Sequence, residues 1–363
     1  MDVMAARAVL ARAPGLDAGH VRALREAAGG VEESLADPVT LTRVELPPRA
    51  RAYLALPDED ALRADLQWLA ASGARLLLST DADFPPRLLQ TPGAPGTLFV
   101  QGNVASLAAP QIAIVGSRNP TPGGSRTARE FAACLARAGL TVTSGLATGI
   151  DAASHAGALQ AGGSTIAVCG TGLDRIYPTQ HAALAARIRG QGALVSEFPP
   201  RTVPRPANFP RRNRVISALA LGVLVVEAAQ RSGSLSTAHW AAEQGREVFA
   251  VPGCIHNPLA RGCHKLIRDG ALLVESAAEV LAGLSFPEPK EALVHRKAER
   301  CAGSELDKEY EMLLDAVGFE PVTVDVLAAR TGLPGGSIAS MLLILELEGR
   351  VAPQPGGRFG RVP

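Results

Sequence analysis

The sequence predicts an α/β protein. A central, doubly wound, mainly parallel sheet is preceded by a helical segment and followed by a small unit of helices with a β-prone tail. Three observations carry this reading. Six short apolar runs between residues 111 and 253 are separated by stretches of helical periodicity that end in glycine. Several of these runs, IAIVG and LGVLVV among them, are almost continuously apolar, as parallel strands buried on both faces are. The segments on either side have helical spacing instead.

In chain order, residues 1–80 read as an N-terminal helical domain. Asp17 is placed to cap a helix in which Val21, Leu24 and Ala28 share one face, and Gly29-Gly30 ends it. The Pro14-Gly15-Leu16 turn before that helix gives the segment a SAM-like or helix-hairpin-helix character. Such units sometimes bind nucleic-acid backbone, but the residues favour a small packing domain. Residues 81–284 hold the predicted strands QIAIVG (111–116), LTVTSG (140–145), STIAVCG (164–170), GALVSEF (192–198), LGVLVVEA (221–228) and EVFAVPG (247–253). Residues 285–303, with Pro287, Pro289 and many charges, read as a linker. Residues 304–363 give three helices and a β-prone tail, the order of a winged helix-turn-helix.

Of the 363 residues, 47% are apolar, which excludes wholesale disorder, and 36 basic against 35 acidic residues leave a net charge of +1. A generally polybasic protein is excluded, while a local basic groove is not. Five scattered cysteines without a CxxC pair fit a reducing cytoplasm better than a disulfide framework. Arg7 and Arg12 interrupt the first apolar stretch, which argues against a signal peptide. The uncharged run from Leu88 to Ser117 is broken by Pro92, Pro95 and Pro110 and is not a membrane span. The expectation is a cytoplasmic protein with no membrane partner.

Four glycine-bearing turns fall at the carboxyl ends of predicted strands, where open α/β sheets bind ligands. In VGSRNPTPGG, Gly116 lets backbone approach a ligand, Ser117 and nearby N–H groups face a phosphate oxygen, and Arg118 adds charge. Neither G-x-G-x-x-G nor a Walker A sequence is present, so neither dinucleotide binding nor ATP hydrolysis is supported. The second turn holds Asp151 and His155 at i, i+4. A catalytic dyad is one reading; a helix cap with a bracing histidine is favoured, since no nucleophile adjoins the pair. The third, CGTGLDRIYP, carries Asp174 and Tyr177. The fourth, Ser232-Gly233-Ser234 leading into Ser236-Thr237, gathers small hydroxyl residues and a glycine at a helix start beside Arg231. It reads as a phosphate site, with simple helix capping as the alternative.

Residues 201–214 hold five arginines (201, 205, 211, 212, 214) and no acid, with Phe209 and Asn213 among them. Arginine neutralises phosphates and an exposed phenylalanine offers a base a stacking face, the combination that suits single-stranded nucleic acid. A solvated basic loop with Phe209 in the core is the plainer alternative. Cys254, His256, Cys263 and His264 have no common zinc spacing, and neither a metal nor a cofactor is implied.

Taken in order, VGSR, SGLATGIDAASHAGAL, TIAVCGTGLDRIYP, SEFPP, FPRRNRVI, VVEA, SGSLSTA, REVFAVPG and GCHKLIRDGA resemble the DprA/Smf DNA-processing proteins of natural transformation across about residues 112–271. DFPPRLLQTP and GTLFVQGN look like that family's preceding segment. The resemblance implies an extended Rossmann-like fold that binds single-stranded DNA, forms a homodimer through that domain, and helps load the RecA recombinase. It implies no catalysis. Arg118 then becomes a phosphate contact, Phe209 a stacking residue with Arg211, Arg212, Asn213 and Arg214 beside it, and Gly233, Ser234 and Thr237 the phosphate turn. Where some members carry a basic residue three before the phenylalanine this chain has Pro206, with Arg205 next to it as the substitute.

Residues 304–363 carry nine acids against five bases, a net charge of −4 that opposes tight phosphate binding and points instead to contact with protein or to help in dimer association. The competing class is a nucleoside-monophosphate phosphoribohydrolase on the same architecture. That group carries P-G-G-x-G-T-x-x-E, whereas this chain reads SGSLSTAHWAAE, with Glu243 a full helix away.

Overall fold

The computed structural model describes residues 2–287, 308–318 and 321–362. The chain divides into two compact units, Met1–Pro289 and Lys290–Pro363. Residues 288–303 of the expected linker lie outside the described residues.

Among the described residues, the larger unit is built on a nine-stranded sheet in the order β1-β2-β6-β5-β4-β3-β7-β8-β9. The strands are β1 (Arg75–Leu78), β2 (Thr97–Gly102), β3 (Gln111–Gly116), β4 (Thr141–Ser144), β5 (Thr165–Val168), β6 (Ala193–Ser196), β7 (Gly222–Val226), β8 (Glu247–Ala250) and β9 (Leu272–Leu273). From β6 to β9 the pairing is parallel, whereas β1–β2 and β2–β6 are antiparallel. The fold is therefore α/β and doubly wound, with an antiparallel extension at one edge. β1, β2 and β9 were not among the six strands expected, and β1 lies within the span 1–80 read as helical.

Alternation along β3 shows how both faces are covered. Ile112 and Ile114 pack on one side with Ala128, Phe131, Ala132 and Leu135 of α8 (Pro122–Arg137), whose spacing places them on one helix face. Ala113 and Val115 pack on the other with Val215, Ile216 and Leu219 of α11 (Asn208–Leu219) and Ala238 and Ala241 of α12 (Ser234–Glu243). The strand order reverses between β3 and β7, which are neighbours with Gly116 opposite Val226. Their carboxyl-end loops meet there, at the kind of switch point where such sheets hold ligands.

The N-terminal helices include α1 (Val3–Arg12), α2 (Ala18–Ala28) and α6 (Glu59–Ser72). Val9, Leu10, Val21, Leu24 and Leu54 form their core, and Leu78 of β1 joins it. Arg7 pairs with Asp81 beyond β1, and Arg12 with Asp65 on α6. At the start of α2 the backbone donors are already engaged: Ala18 N–H donates to Ala94 O and His20 N–H to Asp17 Oδ1. That helix end presents Asp17 rather than free donors, as suits packing.

The smaller unit is a winged helix. Helices Lys308–Val317, Val324–Thr331 and Gly335–Leu347 precede a sheet of order β10-β12-β11, formed by Val322–Thr323, Arg358–Arg361 and Val351–Gln354. Leu313, Leu327, Ile338, Leu342, Leu345 and Val351 make its core. No single helix among the described residues is long and apolar enough to cross a membrane.

Candidate nucleic-acid interface

The loop after β3 is fixed before any ligand arrives. A Cβ on Gly116 would stand 1.9 Å from Val226 O, so only glycine fits between β3 and β7. Gly149, at φ +79°, brings its Cα close to the Ser117 and Arg118 carbonyls, and Ile150 N–H donates to Ser117 O at 3.0 Å. Thr121 caps α8 by accepting from Gly124 N–H at 3.0 Å. Its own N–H and Oγ1 donate to the carboxylate of Glu227, at the end of β7, at 2.8 and 2.5 Å. Ser117 is buried, its hydroxyl accepting from Asn119 N–H, so it shapes the loop from beneath while Arg118 projects from it.

Phe209 lies at the start of α11. Its ring rests on Gly170, where a Cβ would come within 3.1 Å of Cδ1. The Arg118 guanidinium stands 5.6 Å from the ring centroid, that of Arg212 6.0 Å, and the Tyr177 ring 5.8 Å away at 39°. Tyr177 is half exposed. With Thr148 and Thr171 these side chains line a cleft of about 90 Å³. Cation and aromatic faces are thus gathered at one point of the switch.

Arg212 forms the floor of that cleft and is only 5% exposed. Its Nη1 donates to the carbonyls of Gly145 and Val168, and Nε to Asn213 Oδ1 at 3.2 Å. The absence of a Cβ on Gly145 makes room, since one would sit 2.6 Å from Nη2. Asp151 supplies the nearby counter-charge and accepts from Gly145 and Ala147 N–H at 3.1 and 3.2 Å. Burial pushes the Asp151 carboxyl up, with Arg212 opposing that shift. His155 does not touch Asp151: its Nδ1 meets Thr165 Oγ1 at 2.7 Å, and burial drives its pKa down to about 3. The i, i+4 pair is a loop brace and a neutral core histidine, not a proton-transfer dyad.

Three of the other four arginines of 201–214 have partners that lie outside their own segment. Arg211 and Arg214 share Glu197, at 2.9 and 2.5 Å; Arg211 also lies over the Phe198 ring. Burial raises the Glu197 carboxyl against the pull of both. Arg201 donates from Nη2 to Ala61 O at 3.0 Å. Arg205 is exposed with no acidic partner among the described residues. The five positive charges of this segment are therefore only partly met, by Glu197 and Asp151, since Asp65 is already paired with Arg12; Arg205 and, on neighbouring loops, Arg118 and Arg231 are exposed with no acidic partner among the described residues.

At the start of α12, Ser232 Oγ and Ser234 Oγ lie 2.7 Å apart, and Ser234 N–H donates to Ser232 Oγ at 3.3 Å. Gly233 has ordinary φ and nothing within 4 Å of where a Cβ would be, so a side chain there would project into the open space before the helix. Asn213 Nδ2 reaches Gly233 O at 3.3 Å and Ser236 Oγ at 3.4 Å, tying the turn to α11. Thr237 is buried one turn further in. The sequence reading missed Tyr177 as a partner of Phe209 and Glu227 as the link between two loops. Both stand in segments it singled out, but only the fold shows their contacts. Among the described residues no group of three or more His, Cys, Asp or Glu side chains converges as metal ligands, and Cys263 is buried.

Two family models match the chain: DNA recombination-mediator protein A over residues 75–285, and the DprA winged helix domain over residues 297–357. Protein Smf of Escherichia coli K12 is 45% identical over 333 residues, covering 90% of this chain and 88% of that protein. DNA processing protein DprA of Streptococcus pneumoniae R6 is 45% identical over 206 residues, covering 57% and 73%. The X-ray structure of Streptococcus pneumoniae DprA superposes with a TM-score of 0.67 at 36% identity, over 78% of this chain and 98% of that one. A structure of Helicobacter pylori DprA, described for its single-stranded DNA binding mode, superposes with a TM-score of 0.53 at 28% identity, over 58% and 95%.

Proposed function

This chain belongs to the DprA/Smf (DNA recombination-mediator protein A) family, and from that premise we propose that it binds single-stranded DNA at the switch point of its larger sheet, without catalysing a reaction, and helps load RecA during transformation. The observation that carries the binding site is the cluster of Arg118, Phe209 and Tyr177 over buried Arg212. The binding reported for the Helicobacter pylori relative supports it.

On this reading a base lies against Phe209 and Tyr177, a contact available only where bases are unpaired. Arg118 and Arg205 neutralise phosphates, and a further phosphate approaches the open turn at Gly233, where the helix dipole adds its field. Arg211, Arg212 and Arg214 hold α11 in place. Ser117 and Thr237 support the two loops from below. The role of RecA rests on family membership. A homodimer through the Rossmann-like domain is supported by β9, an edge strand whose Leu272 and Leu273 are each about half exposed. Free cysteines at 134, 169, 254 and 263 agree with a cytoplasmic setting.

The test is a salt titration of binding to single- and double-stranded oligonucleotides without metal or nucleotide. Log affinity for the single strand is expected to fall linearly with log salt, by about 0.7 per phosphate neutralised. Equal affinity for duplex, or no salt dependence, would overturn the reading. Release of free adenine from AMP would favour the phosphoribohydrolase instead.

A further inference from the structure

A carboxylate far from the cleft holds the segment that leads to Phe209. Asp65, on α6, has a side chain only 1% exposed and takes both arms of Arg12 from α1, Nε at 2.5 Å and Nη2 at 2.8 Å. The same Nη2 donates to Pro200 O at 3.2 Å, and Arg201 Nη2 lies 3.9 Å from Asp65 Oδ1 while donating to Ala61 O at 3.0 Å. Arg201 has φ +67°, a left-handed conformation disfavoured for any residue with a Cβ. That backbone is held by Arg201 N–H donating to Asp174 Oδ1 at 2.7 Å. Arg205 and Phe209 follow directly, with Asn208 N–H closing on Arg205 O at 2.9 Å.

Resting on the single-strand reading above, we propose that Asp65 is a positioning residue for DNA binding: through Arg12 and Arg201 it clasps residues 200–201 so that Arg205 and Phe209 are presented in one fixed arrangement. Arg12 and Asp65 lie outside residues 75–285, the span of the family match. The N-terminal helices thereby act on a site to which they contribute no contact residue.

Electrostatics alone predicts the opposite sign. Asp65 is an acid near a cation-bearing segment, and removing it raises the local positive charge, which strengthens phosphate binding. A positioning role predicts weakening, because the segment loses its pre-set conformation and ordering it on binding has an entropic cost.

The experiment uses the full chain with Asp65→Asn and, separately, Arg201→Gly, which keeps the buried Arg12–Asp65 pair and accommodates the positive φ. Asp60→Asn, on an exposed face of α6, is the control. Hydrogen exchange of the free protein is expected to quicken at the Arg201 and Thr202 amides in Asp65→Asn, and at the Thr202 amide in Arg201→Gly, and to stay unchanged in α8. Affinity for a labelled oligothymidylate is expected to fall about 5- to 50-fold, the equivalent of one stacked base or one bound phosphate. The salt slope flattens by about 0.7 if Arg205 no longer reaches its phosphate. A role confined to stability would leave the slope unchanged. Unchanged exchange at these amides, or affinity unchanged or raised, would overturn the proposal. If Asp65→Asn does not fold, Arg201→Gly decides by exchange at Thr202, because the loss of a cation by itself lowers affinity. A wild-type chain that fails to bind the oligothymidylate overturns the single-strand reading itself, and exchange then decides whether the clasp exists.

Discussion

The guanidinium of Arg118 lies 5.6 Å from the centroid of the Phe209 ring, so the outward cation best placed for a phosphate rests on the aromatic face best placed for a base. Under the proposed function, a base at that face and a phosphate at Arg118 would meet at this one point. The two contacts are therefore expected to be coupled. Phe209→Ala alone should cost about 1–3 kcal/mol of single-strand binding. In a double-mutant cycle with Arg118→Ala the interaction energy should reach about 0.5–3 kcal/mol. Strictly additive effects, measured by fluorescence anisotropy, would show that the two residues act independently.

Gly170 is the seat of the same ring. Gly170→Ala places a methyl group 3.1 Å from Phe209 Cδ1 and must shift the ring by a few tenths of an ångström. Binding is expected to weaken several-fold, with thermal stability changed far less than by Gly145→Ala. The latter meets the buried Arg212 guanidinium and should cost about 1–3 kcal/mol through overpacking.

Arg212 is expected to behave as a stability residue as well as a part of the cleft. Arg212→Met leaves Asp151 buried without its counter-charge, a loss of about 3–5 kcal/mol by denaturant unfolding. Under the same assay Arg118→Ala should unfold like the parent chain.

Stability should also depend on His155. Its pKa is about 3 in the fold against 6.5 as the ordinary value, so between those limits the unfolded chain binds a proton that the folded chain excludes. The contribution is fully present above pH 6.5 and is lost as pH falls toward 3, on the order of 4 kcal/mol across the window. Asp151 and Glu197, whose carboxyls are raised, act in the opposite sense. His155→Gln should flatten the unfolding free energy against pH over this range. An unchanged slope would mean that the histidine takes up its proton without unfolding the chain.

The winged helix is expected to contribute little to single-strand affinity. Its third helix, Gly335–Leu347, contains no lysine or arginine and exposes Leu343, Ile344 and Leu347. Deleting residues 304–363 should leave affinity within a few-fold, because phosphate neutralisation is carried elsewhere. A drop of 100-fold or more would reverse that view.

The parallel core was legible because β3 to β8 are apolar runs with glycine-bearing turns, a pattern that few other structures produce. β1 was not: RLLL is four residues long and, though Gly73 ends the helix before it, too short to show an alternating pattern. β9 is only two residues. The turns that build the cleft were legible as glycines at strand ends, although the groups that require them, Val226 O for Gly116 and the Ser117 and Arg118 carbonyls for Gly149, lie far along the chain. Charge pairing was not legible. Glu197 meets Arg214 across 17 positions, Arg212 meets Gly145 O across 67, and Arg201 meets Ala61 O across 140. A sequence window counts the arginines and leaves out every group that answers them.

Glu227 joins the end of β7 to the cap of α8, and Asn213 ties the Gly233 turn to α11, so the Arg118 loop and the Gly233 turn are both anchored at the switch edge of the sheet. Under the proposed function, two anion contacts anchored in this way would keep a nearly constant separation. A flexible strand can adjust its phosphate pitch to that interval, while a stiff duplex keeps its own. If the proposed phosphate contacts at Arg118 and Gly233 hold, these anchors would act as a ruler on the backbone, selecting for the compliance of the polymer whatever the order of its bases.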